Sequence, residues 1–246
     1  MVTAGLYKNS MQYIKNIVII LILIAIGIIL SIYVVENPQD SMVARLVSYD
    51  KISTLLKQHL YIVGVSSGLA ILTAVPVGIL LTRPKFKKWT SRVVGIVNVG
   101  QTIPSLAIVA LLVGVLGVGA KSAIIALWIY SLLPILNNTL IGVGEVDKAI
   151  IEAANGVGMK ASHVLTKVEI PLAMPMIIAG IRTAITINIA SAILAAFVGG
   201  GGLGNLIIAG NNISRWQVLV LGAALPVLMA LIADSIFGII EQKIKL

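Results

Sequence analysis

Few side chains in this 246-residue sequence suit covalent chemistry. There is no cysteine, which excludes disulfides, thiolate metal sites and thiol nucleophiles, and the two histidines, His59 and His163, lie too far apart in sequence to suggest a zinc pair. A GxGxxG match falls on Gly199, Gly201 and Gly204, inside the run Gly199, Gly200, Gly201, Gly202, Leu203, Gly204. It lacks the Lys-Ser/Thr of a phosphate loop and has no βαβ surroundings, so it reads as a flexible outer hinge or gate, with a plain helix terminator as the simpler alternative. Neutral polar groups recur along three apolar stretches: Asn98, Gln101, Thr102 and Ser105 on the first, Tyr130, Asn137 and Asn138 on the second, Thr186 and Asn188 on the third. Such groups suit a wet, mildly polar route, because tight binding would slow release. Trp128 and Tyr130 offer cation–π contact, although packing is the commoner use of aromatic residues in such helices. Arg182 and Asp234 are the charges inside apolar runs; they read as an ion pair or as residues near an interface, and Arg182 also as a pathway residue.

The elements that position these residues are set by composition. Hydrophobic residues make up 59% and charged residues 11%, and mean hydropathy is +1.06, whereas soluble domains average about 25% charged. Reading from charge to charge gives apolar stretches at 16–35, 58–82, 93–120, 122–144, 170–181 with 183–214, and 216–233. A hydrocarbon core about 30 Å thick takes roughly 20 helical residues, so these make six transmembrane helices in an all-α membrane protein. A barrel would show short alternating segments instead. The fifth helix runs from Leu172 to Val198 before the glycines break it, and the sixth from Gln217 to Ile240.

Lysine and arginine then fix the orientation. With the N-terminus inside, twelve fall in inner segments (Lys8, Lys15, Arg83, Lys85, Lys87, Lys88, Arg92, Lys148, Lys160, Lys167, Lys243, Lys245) and five in outer ones (Arg45, Lys51, Lys57, Lys121, Arg215). Both termini therefore lie in the cytoplasm. The net charge of +9 follows from those basic loops, and nucleic acid is not an expected partner. The first span is too long for a signal core and lacks a small-residue cleavage site, so it is read as an anchor. Proline falls within the spans at Pro76, Pro104, Pro134, Pro175 and Pro226, and Gly64 and Gly68 form a small-xxx-small step read as packing within the bundle.

The cytoplasmic segment from Gly144 to Pro171 is patterned as two short helices. Asp147 is the expected N-cap, Lys148 to Ala154 the first helix, Asn155-Gly156 its stop with glycine at positive φ, and Met159 to Val168 a second amphipathic helix ended by Pro171. Within it, Glu152-Ala153-Ala154, three residues, Gly158, nine residues, Val168, one residue and Ile170-Pro171 resemble the EAA loop of binding-protein-dependent ABC importer permeases. Ile170 stands where leucine is usual, and Lys160 where many relatives have a capping threonine or serine. The resemblance implies that this loop is a coupling helix seated in a cleft of an ATP-binding subunit. Glu152 would offer a charge, Ala153 and Ala154 close approach, Gly156 and Gly158 the sharp turn, and Pro171 the end of the loop.

Further segments narrow the resemblance. Val99 to Ala107, Leu132 to Thr139, Ala179 to Ala184 and Gly199 to Gly204 are similar to permease subunits of glycine betaine, carnitine and choline importers. The likeness runs from about His59 to Glu241 and divides the chain into an N-terminal anchor with its outer connection, 1–57, and a five-helix type I permease core, 58–246, with the coupling loop at 144–171. It implies a second permease copy or homologous permease, two ABC ATPase subunits that bind ATP and Mg, a separate external substrate-binding protein, and residence in the bacterial cytoplasmic (inner) membrane. The chain itself is expected to bind no cofactor or metal and to hydrolyse nothing. The competing readings are a permease of the same architecture for methionine, taurine or a phosphonate, and a secondary transporter, which would need intramembrane acid or histidine relays.

Overall fold

In the computed structural model the chain is described from residue 2 to residue 244, with side chains from residue 12 onward; the expected inner lysine Lys245 and the side chain of Lys8 lie outside the described residues. The helices in chain order are α1 (Val2–Glu36), α2 (Ser41–Leu46), α3 (Tyr49–Leu81), α4 (Thr90–Thr102), α5 (Ser105–Leu116), α6 (Ala120–Gly144), α7 (Lys148–Gly156), α8 (Ala161–Val164), α9 (Ile170–Ser191), α10 (Gly204–Asn212) and α11 (Trp216–Ile244). Five helical stretches are long and apolar enough to cross a membrane, and α4 with α5 makes a sixth if that bent pair is one span.

That pair corrects the expectation of a straight helix over 93–120. The chain turns through 96° between α4 and α5, because Pro104 holds extended backbone (φ −53°, ψ 132°) and biases Ile103 before it to do the same. Pro104 thus lies between helices, whereas Pro76, Pro134, Pro175 and Pro226 lie within them. The carbonyl of Ile103, freed by the bend, accepts from the Tyr130 hydroxyl. Gln101 Nε2 donates to the Tyr130 carbonyl at 2.7 Å, so α6 clasps the corner on both sides.

The core is α6 packed between α3 and α9, with Ala70, Ala74, Ile135, Leu136, Ile177 and Ala184 in one buried cluster. Glycines allow the close crossings: a Cβ on Gly78 would lie 2.8 Å from the Thr139 side chain, and one on Gly142 2.8 Å from Met176 Cβ. The expected packing at Gly64 and Gly68 is not found within this chain, since a Cβ at either would meet nothing within 4 Å.

α1 lies along α11 and barely touches α3. Its span, Gln12–Glu36, has 6% of its most apolar stretch buried. The helix is held at its ends: Asn16 is buried beside Gly238 at the inner end, and at the outer end Gln217 accepts from the Gln39 amide at 2.6 Å and donates to the Asn37 carbonyl at 3.0 Å. Beside that clasp Asp40 caps α2 and pairs with Arg215 at 2.5 Å. Hydrogen bonds from the Val43 amide and from Arg215 hold the Asp40 carboxyl below the ordinary aspartate range. A lowered folded-state value means that the contribution is complete at neutral pH and is lost as pH falls through it. Thermal unfolding should therefore be flat from pH 7 to about pH 5 and earlier below about pH 4, and Asp40→Asn should blunt that acid sensitivity.

Candidate functional site

The cytoplasmic loop begins where the Asp147 carboxylate accepts from the Ala149 amide at 2.9 Å, capping α7 as its sequence suggests. The stop of α7 differs from expectation. Gly156 is the last helical residue, and the positive φ, +83°, belongs to Gly158. Met159 N donates to Ala154 O at 3.2 Å and Gly158 N to Asn155 O at 2.9 Å, the paired bonds that need a left-handed residue just beyond the C-cap. Glycine is the residue that adopts it without strain, so Gly158 carries the turn. Ala154 is turned inward, while Glu152, Ala153 and Asn155 are exposed. Val157, 80% exposed, and Ile150, 44% exposed, add apolar surface to the knuckle.

The return helix also departs from expectation. α8 starts at Lys160, which supplies no side-chain cap, and covers only Ala161–Val164. A π turn, Leu165–Glu169, follows and runs without a break into α9. Pro171 therefore does not end the helix. It has no N–H to give Lys167, and the wider turn, with Ile170 N bonded to Leu165 O, passes the chain into α9 with Pro171 in its first turn. The carboxylate of Glu169, in that π turn, pairs with Arg83 at the inner end of α3. Neither residue stood out in the sequence; the long gap between them conceals the pair, and only the run of basic residues after α3 hinted that a carboxylate was wanted nearby.

At the outer face, α9 continues through a 3₁₀ stretch to Val198, and Gly199, Gly201 and Gly202 take φ of 68°, 81° and 87°. Gly200 N donates to Ala195 O, and Gly204 opens α10, packed so that a Cβ would strike the Ile193 carbonyl. The turn is pinned to α3: Gln58 Oε1 accepts from the Gly202 amide at 3.0 Å.

The polar residues assigned to a pathway do not form one cluster. Asn98, Gln101 and Thr102 lie on α4 and Ser105 on α5, beyond the bend, while Tyr130, Asn137 and Asn138 lie on α6. Gln101 and Tyr130 hold the corner as described, and Asn138 Nδ2 donates to Pro134 O at 2.8 Å beside Gly180. Asn98 and Thr102 remain exposed. Thr186 bonds back to the Arg182 carbonyl. Asn188 is wholly buried and donates to Ser66 and Ser67 at 3.1 and 2.9 Å, which ties α9 to α3. Trp128 donates to Thr73 at 3.1 Å as a packing residue.

Arg182 points away from α6. Its guanidinium donates to both oxygens of Asp234 at 2.6 and 2.7 Å and to Glu241 at 3.2 Å. A polar cleft of about 400 Å³ opens there toward Gln12, Lys15 and Asn16 of α1, which places Arg182 at the seam with the N-terminal helix. Removing the cation alone strands two carboxylates at an inner-membrane seam. Arg182→Met should lower the thermal midpoint in nanodiscs, and adding Asp234→Leu with Glu241→Gln should recover most of the loss.

This arrangement is a helical membrane bundle with a structured cytoplasmic knuckle. Residues 74–246 match the family described as "Binding-protein-dependent transport system inner membrane component". The chain belongs to that family. Membership makes it a multi-pass inner-membrane transport permease, a protein that is not itself catalytic. Among its relatives, the glycine betaine/carnitine/choline transport system permease protein OpuCB of Bacillus subtilis (strain 168) is 45% identical over 187 residues, covering 76% of this chain and 85% of that one. The carnitine transport permease protein OpuCB of Listeria monocytogenes is 48% identical over 189 residues, with shares of 76% and 85%. The osmoprotectant import permease protein OsmY of Salmonella typhimurium is 41% identical over 189 residues, with shares of 77% and 80%. The fold is similar to a chain of the inward-facing MetNI methionine ABC transporter, with a TM-score of 0.70 at 21% identity, over 79% of this chain and 96% of that one.

Proposed function

We propose that this chain is the membrane-spanning subunit of an ATP-driven importer for small osmoprotectants such as glycine betaine, carnitine or choline. The observation that carries the substrate class is that relatives sharing more than two fifths of their residues over three quarters of this chain bear those names. Residues 1–57 form an anchor and outer connection, and residues 58–246 the permease core.

The mechanism follows from the two faces of the bundle. The knuckle around Glu152, Ala153, Gly156 and Gly158 docks an ATPase subunit that holds ATP and Mg, and Ala154 seats it on the bundle. Two permease cores, identical or homologous, enclose the route between them, each with its ATPase, and a separate external binding protein delivers solute. Closure of the ATPases draws the two knuckles together and rocks the bundles between inward-facing and outward-facing states. Asn98, Thr102, Ser105 and Asn137 supply neutral polar groups to the route, and Gln101, Tyr130, Asn138 and Thr186 support its walls. The turn Gly199, Gly200, Gly201, Gly202 with Gly204 forms the outer gate.

The test is uptake of labelled glycine betaine, carnitine, choline and methionine by liposomes containing the whole complex and its binding protein. ATP-dependent accumulation of one of the first three is expected. Accumulation of methionine alone would reassign the substrate, and accumulation driven by an ion gradient without ATP would defeat the reading.

A further inference from the structure

Among the described residues Glu169 is the most deeply buried carboxylate, 6% exposed. It sits in the π turn that joins the cytoplasmic loop to α9, facing Arg83 just beyond the last turn of α3. The pair is two-pronged: Arg83 Nη1 donates to Oε1 at 2.9 Å, and Nη2 donates to Oε2. The guanidinium is anchored in turn, because Nε and Nη2 donate to Thr82 Oγ1 at 3.1 and 2.9 Å, and that hydroxyl donates to Ile79 O at 2.7 Å. A planar fork on both carboxylate oxygens fixes orientation as well as distance, unlike a single exposed contact between flexible side chains.

The outer half of α3 meets the outer glycine turn. Gln58 accepts from the Gly202 amide, and His59, fully buried, places Nε2 2.9 Å from the Ile189 carbonyl of α9. A Cβ on Gly202 would lie 3.3 Å from His59 Nδ1. From Gln58 to Leu81, α3 runs about 35 Å. Arg83, just beyond its inner end, grips the cytoplasmic loop, and Gln58 and His59 grip the glycine turn.

We propose that the Arg83–Glu169 pair is a strut through which the cytoplasmic loop moves α3 and, through Gln58 and His59, the outer glycine turn. The inference rests on the proposed role of the loop as the ATPase-docking element. The loop then has two outputs: its backbone continues into α9, and the strut carries the same displacement into α3. Arg83 and Glu169 are positioning residues, since neither is assigned contact with solute or nucleotide. Contiguity alone does not establish coupling, so the decisive evidence is whether the two elements move as one body.

The chain has no cysteine, so spin labels at Lys87→Cys and Ser162→Cys, both at exposed sites, on one permease copy in a complex whose other subunits lack cysteine report one distance. With Arg83 and Glu169 intact, that distance should be the same without nucleotide and with the ATPases trapped closed. In Glu169→Gln it should change on trapping. Uptake per ATP hydrolysed should fall about tenfold in Glu169→Gln and in Arg83→Gln, a middling coupling energy, and should largely recover in the swap Arg83→Glu with Glu169→Arg. A distance that changes on trapping while the pair is intact overturns the strut, as does a wild-type uptake-to-hydrolysis ratio in both single variants. Where a variant does not assemble, the label distance in the intact-pair complex decides alone. Loss of coupling in Glu152→Lys but not in Glu169→Gln would remove the strut and leave the docking role standing. Indifference to Glu152→Lys would remove the docking role itself.

Discussion

Glu152→Lys is expected to abolish ATP-driven uptake, by about a hundredfold or more, without loss of the folded chain. Glu152 is exposed on α7 and belongs to the knuckle that stands clear of the bundle. Substitution at an exposed site with no described partner changes stability by about 0.5 kcal/mol or less. At a docked interface the same change sets a like charge against whatever cation Glu152 faces, and such juxtaposition costs several kcal/mol. Uptake and solute-stimulated ATP hydrolysis should both collapse in liposomes, while the thermal midpoint of the isolated chain stays put. Normal uptake would show that the knuckle does not bear on the ATPase. Val157→Asp, at the most exposed apolar position of the knuckle, should weaken the same assembly.

A large effect on the fold itself is expected at Gly180, where α9 crosses α6. A Cβ there would lie 2.6 Å from Asn138 Cβ and 2.8 Å from the Pro134 carbonyl. One of those neighbours is backbone, so no rotamer change relieves the overlap; the helices must part. Overpacking of this kind costs about 1–3 kcal/mol or more, and Gly180→Leu adds bulk that the crossing cannot place. The chain should accumulate poorly and elute as aggregate in size-exclusion chromatography in mild detergent. Gly114→Ala is the control, since a Cβ there meets nothing within 4 Å and alanine favours the helix. Equal behaviour of the two variants would mean that the α6–α9 contact is not what holds the core.

The helical class and the family were legible from the sequence because they rest on local signals. Charges bracket runs of bilayer length, and the spacing from Glu152 to Pro171 is a family signature. Asp147 was readable as a cap because its carboxylate needs only an amide two residues on. The bend at Pro104 was not, because a proline within a membrane helix is tolerated as often as it breaks one. The exchange of roles between Gly156 and Gly158 turned on where the chain reverses, and both glycines satisfy the pattern. Pro171 misled for a related reason: proline stops an α-helix or begins one, and the π turn that lets the chain continue leaves no trace in composition. Pairings between distant residues were out of reach. Arg83 with Glu169, Asn188 with Ser66 and Gln58 with Gly202 depend on which helix faces follow one another around the bundle. The pairing of Arg182 with Asp234 was foreseen, since both were charges within apolar runs, but its direction toward α1 was not.

The first helix shows what fastening at two points entails. Its apolar stretch from Ile17 to Val35 rises about 28 Å, against an oil layer of about 30 Å, and one side of it packs along α11 to the clasp at Gln217 while most of its surface is exposed. A tethered rod cannot slide to suit a thinner or thicker sheet of oil. Any mismatch must appear as lean in the rod, as a dimple in the surrounding lipid, or as load on the Gln217 clasp, so membrane thickness bears mechanically on the outer surface of this transporter.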